Sequence, residues 1–335
     1  MIRVATIGTN YITDWFATAL LTSPLYEYAA VYSRKMETGK AFADKYGVKK
    51  VYDNLDELAE ADDIDVIYIA SPTAYHYAHA MMMMNNGKHV MVEKPIASNS
   101  EELSLMLQAA KDNNVIMMEM MRPAHAPGNK TIIDNLSKLG DIRIATLQYC
   151  QYSGRYDSYK KGIIENAFKP ELSNGSIMDI GVYPIHTLAQ VFGMPESIKT
   201  DVFHLSNGCD GAGAIMAHYP DKICQVLYSK VTDHKTPSQI QGEKGCMLIE
   251  TIPFPKKITI LYRDGSVEDV PVWEDEREVS GNNMIYEIED FAKLMEEGKV
   301  DHDYLKASIV EMKIIDEARK QVGIIFPADK IREML

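Results

Sequence analysis

Cysteine is scarce in this chain, with four among 335 residues, at positions 150, 209, 224 and 246. None stands in a Cys-x-x-Cys or other paired spacing, which excludes a disulfide framework and a thiolate zinc cluster as the basis of the fold. Positive charge is also in short supply, with 35 Lys and Arg against 48 Asp and Glu, for a net charge of −13. A surface of that sign repels nucleic acid and anionic membrane, so the expected partner is a small molecule. Long apolar runs are missing too: nothing approaches the ~20 residues that a membrane-spanning helix needs. Met1 leads straight into strand-like sequence without a basic and then apolar leader, so the expected location is the reducing cytoplasm.

What is present is ample apolar material, 46% of the chain, at a length where one core usually splits into two domains. Short apolar runs at 2–7, 28–32, 66–70, 89–92 and 115–119 alternate with stretches of helical period at 14–21, 38–46, 75–86 and 101–113. That alternation predicts a doubly wound parallel sheet, an N-terminal Rossmann domain over 1–121. The run Met81 to Met84 lies in one of these helices and reads as adaptable core packing. Beyond Pro123 the pattern changes to strands at 142–150, 199–205, 214–219, 223–230, 246–250, 257–262 and 267–272. Turns such as Pro220-Asp221 and Arg263-Asp264-Gly265 join them. A meander of this kind predicts an α+β domain over 122–335, with a large, open, mainly antiparallel sheet and amphipathic helices at 284–296 and 304–321. The fold class expected for the whole chain is therefore α/β.

The first strand-to-helix turn reads Gly8-Thr9-Asn10-Tyr11-Ile12-Thr13, where a dinucleotide fold places Gly-x-Gly-x-x-Gly. Only the first glycine is kept. Asn10 can adopt a left-handed conformation at modest cost and Thr13 is small enough for close helix packing, so the loop can still offer N–H groups and a helix N-terminus to pyrophosphate. Taken alone, the motif fits an ordinary capped turn equally well. At the end of the second strand stands Ser33-Arg34, where an NAD enzyme usually carries an acid. A serine and an arginine suit a 2′-phosphate, which favours NADP(H) and leaves NAD(H) open; the other reading is a solvated basic helix start. Ser71-Pro72-Thr73 and His76 follow the strand at 66–70, and such a loop skirts the ribose and nicotinamide, although Ser-Pro-Thr is also ordinary helix-start chemistry.

Glu93-Lys94-Pro95 closes the strand at 89–92 and puts a lysine where the carboxyl ends of the strands hold a dinucleotide. Further on comes Asn174-Gly175-Ser176-Ile177-Met178-Asp179-Ile180-Gly181-Val182-Tyr183-Pro184-Ile185-His186. If this segment is helical, Asp179, Tyr183 and His186 share one face, and Pro184 is expected to kink the helix or mark an irregular turn. That stripe suits a pocket or, equally, a surface helix. Arg122, His186 and the loop Arg155-Tyr156-Asp157-Ser158-Tyr159 are candidate substrate contacts, with surface or interdomain packing as the alternative. His76 and His79 lack an evident third ligand, so no metal site is expected.

Glu-Lys-Pro followed later by Gly-Ser-x-x-Asp-Ile-Gly-x-Tyr strongly resembles the glucose-fructose oxidoreductase, inositol dehydrogenase and MocA-like oxidoreductase family. Ser33-Arg34, Ala41-Phe42-Ala43, Ser71-Pro72-Thr73 with His76, and Tyr286-Glu287-Ile288-Glu289-Asp290-Phe291 extend the likeness over nearly the whole chain. Two departures are the missing second and third loop glycines and Asn174 in place of a frequent glycine. The resemblance implies an NADP(H)-binding first domain, drawing on Gly8 to Ile12, Ser33, Arg34, Ser71 to Thr73, His76, Glu93 and Lys94. It also implies a second domain that binds substrate and forms a homodimer or homotetramer through its open sheet. It assigns Lys94, Tyr183 and Asp179 to the catalytic site. Tyr183, where inositol dehydrogenase-like members carry His, places the chain nearer the dihydrodiol dehydrogenase-like and glucose-fructose oxidoreductase-like members. The implied substrates are aldoses, cyclic polyols or trans-dihydrodiols.

Oxidising an alcohol moves a hydride to nicotinamide and a proton to a base. Free tyrosine, with a pKa near 10, needs a cation such as Lys94 beside it to do that work at neutral pH. Asp179 would then hold Lys94 or a substrate hydroxyl. A desolvated Lys94 is an alternative proton-transfer group. The rival reading is a catalytically silent, cofactor-sensing regulator of the same fold, and a third is a polyol-binding protein without cofactor.

Overall fold

Strands buried on both faces need helices on both sides, and a computed structural model, which describes residues 1–278 and 281–333, shows this arrangement in the first part of the chain. Six strands, β1 (Ile2–Ile7), β2 (Tyr26–Tyr32), β3 (Lys50–Tyr52), β4 (Val66–Ile69), β5 (His89–Glu93) and β6 (Met117–Met120), pair in parallel in the order β3-β2-β1-β4-β5-β6. The order reverses between β1 and β4, which makes the ends of those strands the switch point of the sheet. The helices Tyr11–Leu20, Met36–Tyr46, His76–Asn85 and Ser100–Asp112 connect them. Met83 and Met84 are fully buried, as the core reading of the methionine run expects. β3 and the helix Leu55–Ala59 were not expected, being too short to show a period.

The chain divides into two compact units, the first of residues Met1–Met121 with Asp275–Leu305, the second of Arg122–Glu274 with the chain from Lys306 onward. The expected boundary, 1–121 against 122–335, is therefore corrected at Asp275–Leu305. The helix Ile285–Glu297 gives Ile288, Phe291 and Leu294 to the core that holds Phe16, Leu20 and Tyr28. Tyr26 Oη donates to the Ile288 carbonyl at 2.7 Å, and Asn282 Nδ2 to the Trp15 carbonyl at 2.8 Å. Periodicity told that this helix has an apolar face, but not which core the face would complete.

In the second unit eight strands form one sheet: β7 (Ile142–Cys150), β8 (Ser197–His204), β9 (Asp210–His218), β10 (Ile223–Ser229), β11 (Ser238–Gly242), β12 (Gly245–Ile249), β13 (Ile258–Tyr262) and β14 (Val267–Val270). Their order is β14-β13-β12-β11-β7-β10-β9-β8, antiparallel except where β7 runs parallel to β10. The expectation of a single meander is corrected: two meanders flank β7, which comes first in the chain and lies fourth from the β8 edge. β11 escaped notice because Ser238-Gln239-Ile240-Gln241-Gly242 holds one apolar residue. Alternation divides the faces. Ala145, Leu147, Cys224, Val226, Ile240, Met247 and Ile260 are buried, and the helix Val182–Phe192 packs on β7 and β10. The opposite face leaves Ile144, Met216, Ile223 and Leu261 between 39% and 48% exposed. Among the described residues no helix is long and apolar enough to cross a membrane.

Candidate active site

In the first unit the turn after β1 is made by Gly8, with φ at +118°, and a Cβ there would stand 2.9 Å from the Ala70 carbonyl oxygen. Only glycine fits that geometry without strain. Asn10 does not use the left-handed conformation open to it: its backbone is extended (φ −91°, ψ −179°) and it caps the helix Tyr11–Leu20. Its Oδ1 accepts from the N–H groups of Ile12 at 3.0 Å and Thr13 at 3.3 Å, while its Nδ2 donates to the Ala70 carbonyl at 3.0 Å. The reason is that an asparagine before a helix gains more by satisfying orphan N–H groups than by entering αL. The carboxamide thereby ties the β1 turn to the end of β4. Thr9 is half-buried and the Tyr11 side chain is exposed. Ser33 and the exposed Arg34 follow β2 directly. The Ser33 N–H donates to the Tyr52 carbonyl at 3.0 Å, which holds this end of the strand in place.

His76 is fully enclosed, and its two ring nitrogens lie 2.8 Å from the Ser71 carbonyl and 2.9 Å from the Pro95 carbonyl. Burial pulls its pKa down to about 4, against the raising effect of those two carbonyls. The neutral ring has one N–H and so donates to one carbonyl at a time. His76 thus joins the loop after β4, with Pro72 and Thr73, to the loop after β5 from beneath. Glu93 also points inward, with the Tyr68 hydroxyl donating to Oε1 at 2.7 Å and the Lys94 N–H to Oε2 at 3.3 Å. From β6, Glu119 accepts the Ile96 N–H at 3.0 Å. These buried acids shape the loop on which Lys94 is half-buried.

The second unit gathers Arg122, Asp179, Tyr183 and His186 around one irregular segment. Residues Ile177–Gly181 form a wide turn of π type that runs into the helix Val182–Phe192. Pro184 stands in the first turn of that helix, directly after the wide turn, which is the irregular turn expected at the proline. Gly181 has no room for a Cβ, which would stand 2.9 Å from the ring of the buried Tyr228. Asp210 caps the segment, accepting from the N–H groups of Ser176 at 3.0 Å and Ile177 at 2.7 Å. Burial pushes Asp210 up to about 6 despite those donors.

Tyr183 is 5% exposed. Arg122 Nη2 donates to its hydroxyl at 3.2 Å, and the guanidinium lies 4.6 Å from the centre of the Phe254 ring. Tyr149 meets Tyr183 edge to face at 5.6 Å. The Asp179 carboxylate takes an ion pair from Lys230. His186, expected as a substrate contact, is buried, and its Nδ1 stands 2.5 Å from Glu311 Oε2. Tyr156 lies on the short helix Gly154–Lys160 and packs with Tyr159 and Phe168 at centroid distances of 6.1 Å each. Asp179 lies in the wide turn, ahead of the regular helix that carries Tyr183 and His186, and it meets Lys230 while Tyr183 meets Arg122 and His186 meets Glu311. Lys230, Phe254, Tyr149 and Glu311 were missed. A lysine at a strand end and a phenylalanine between prolines carry no periodic signal that marks a pocket.

The model described as the oxidoreductase family with NAD-binding Rossmann fold, GFO_IDH_MocA, matches residues 2–121, and the GFO/IDH/MocA C-terminal domain matches residues 131–248. The scyllo-inositol 2-dehydrogenase (NADP(+)) IolU of Bacillus subtilis is 42% identical, over 98% of this chain and 100% of that protein. The trans-1,2-dihydrobenzene-1,2-diol dehydrogenase of Xenopus laevis is 29% identical over 96% of this chain and 98% of that protein. Among solved structures, the 3-ketoreductase KijD10 of Actinomadura kijaniata, in complex with NADP and TDP-benzene, superposes with a TM-score of 0.82 at 20% identity. It covers 96% of this chain and 98% of its own, a likeness of fold. The chain belongs to the GFO/IDH/MocA oxidoreductase family and is a nicotinamide-dependent enzyme with a Rossmann cofactor unit.

Proposed function

We propose that this enzyme interconverts a ring hydroxyl and a ketone on a cyclic polyol of the inositol kind, with NADP(H) as cofactor. The observation that carries the reading is the buried Tyr183 hydroxyl in the grip of the Arg122 guanidinium. A phenol so placed can take or return a proton without competition from bulk water, and the guanidinium balances charge that develops on its oxygen. The first unit is the cofactor unit and the second the substrate unit. The turn at Gly8 suits a dinucleotide, because its positive φ and missing Cβ let the chain fold against the end of β4 and lead directly into the start of the helix Tyr11–Leu20, and Ser33 and Arg34 suit a 2′-phosphate. The bound nicotinamide would supply the hydride acceptor in oxidation and the donor in reduction. In oxidation Tyr183 receives the hydroxyl proton and the Asp179 carboxylate accepts a hydrogen bond from a neighbouring ring hydroxyl, and Lys94, on the loop after β5, is the cation that the family resemblance assigns to the same reaction. In reduction Tyr183 returns the proton. The substrate class is supported by the 42% identity to a scyllo-inositol dehydrogenase over nearly the full chain. The exposed apolar face of the eight-stranded sheet is proposed as the interface of a homodimer or homotetramer.

The test is NADPH formation with a panel of inositols, aldoses and trans-dihydrodiols, with NAD⁺ in parallel. Turnover of an inositol that falls by about 10²- to 10⁴-fold in Tyr183→Phe supports the proposal. Equal turnover in the variant removes Tyr183 from proton transfer. NADP⁺ binding without turnover across the panel favours a cofactor sensor instead.

A further inference from the structure

Lys230 stands just past the end of β10, and its side chain is 3% exposed. A buried ammonium is costly unless its protons are taken up. Here Nζ forms the ion pair with Asp179, donates to the Ala167 carbonyl at 3.2 Å and lies 4.6 Å from the centre of the Phe168 ring. The backbone of the same residue is held on both sides. Its N–H donates to the Gly211 carbonyl at 2.9 Å, and its carbonyl accepts from Ser153 at 2.9 Å. Ser153 in turn caps the helix that carries Tyr156, its hydroxyl accepting from the Arg155 N–H at 3.3 Å. Phe168 packs on Tyr156 at 6.1 Å and on Tyr159 at 5.7 Å. One lysine therefore touches the sheet end, the aromatic segment and the segment that carries Asp179.

We propose that Lys230 is a positioning residue that fixes the Asp179 carboxylate and couples it to the aromatic segment bearing Tyr156. The two groups are then presented to the polyol as one rigid pair. This rests on the reading of Asp179 as a substrate-binding group. The exposure of the pair is asymmetric, since the Asp179 side chain keeps 28% of its surface while Lys230 is enclosed. A carboxylate fixed by an enclosed cation and still partly exposed can be presented to a ligand in one orientation.

The experiment uses the full-length enzyme with NADP(H), comparing Lys230→Met, Lys230→Arg, Asp179→Asn and the double variant Lys230→Met/Asp179→Asn. The expected result for Lys230→Met is a rise of about tenfold or more in the KM for the polyol, with NADPH affinity, read by fluorescence titration, within about twofold of native. Lys230→Arg keeps the cation and recovers most of the loss, and the double variant is no worse than Asp179→Asn alone. Unchanged polyol KM in Lys230→Met, additive losses in the double variant, or an arginine no better than methionine overturns the proposal. Should Lys230→Met fail to fold, Lys230→Arg against Asp179→Asn decides by the same split. If the native enzyme turns over no polyol, the functional reading fails by itself, and the coupling is then decided by melting midpoints of the four variants. Non-additive shifts keep it and additive shifts sink it.

Discussion

At the scale of the residue, chemistry resides in side chains whose partners decide what they can do. Arg34 is exposed at the end of β2, and Ser33 precedes it, so its guanidinium can swing onto a phosphate without first breaking a buried network. Arg34→Glu should raise the KM for NADP⁺ by about tenfold or more while changing that for NAD⁺ little, since a charge-assisted fork becomes a repulsion. Parallel changes for both cofactors in steady-state kinetics would remove Arg34 from the 2′-phosphate. Lys94, Asp179, Tyr183 and Arg34 were all legible as candidates, because their positions relative to strand ends and to one another form a pattern along the chain. The capping role of Asn10 was not legible, since an asparagine in that turn can either turn left-handed or satisfy the helix N-terminus with its side chain, and the structure has the second. Lys230 and Glu311 were not legible at all. Each matters through a partner more than fifty residues away, and no local spacing records such a meeting.

At the scale of the element, the segment Ile177–Gly181 shows how a motif and its conformation come apart. A regular helix would set Asp179, Tyr183 and His186 on one face, but the carboxylate of Asp210 holds the N–H groups of Ser176 and Ile177, and Tyr228 presses against Gly181. Packing from β9 and β10 thus selects the wide turn. Burial raises Asp210 from 3.8 to about 6. Between those values the folded chain holds a proton that the unfolded chain has lost, so this group's contribution to stability is full below 3.8 and is lost as pH rises through about 6. Asp210→Asn removes that dependence. Relative to the native protein, the variant should gain on the order of 2–3 kcal/mol as pH rises from about 4 to about 6.5. Urea unfolding at both ends of that window checks it, and an unchanged difference would show that Asp210 ionises normally. Most strands were legible from apolar runs. β3 and β11 were not, because three residues, or one apolar residue in five, make no period.

At the scale of the whole molecule, the open sheet is the feature with the largest consequence. Ile144 and Ile223 stand directly opposite each other on β7 and β10, with Met216 and Leu261 on the same exposed face. If that face is the subunit interface, Ile223→Glu should place a charge in it and shift sedimentation toward monomer. Unchanged oligomeric state, or a native protein that is already monomeric, rejects the interface. The amino-acid sequence by itself determined the two kinds of sheet and the strand-end positions of Lys94 and Arg34, because alternation, period and motif spacing are local properties of a chain, and the nicotinamide chemistry came with the family resemblance of its motifs. Only the tertiary structure decided that β7 enters between two meanders, that Asp275–Leu305 completes the first core, and that Asp179 answers to Lys230. Those outcomes depend on which distant surfaces bury each other most completely, and an amphipathic face or a lone charge specifies its need for a partner without specifying the partner.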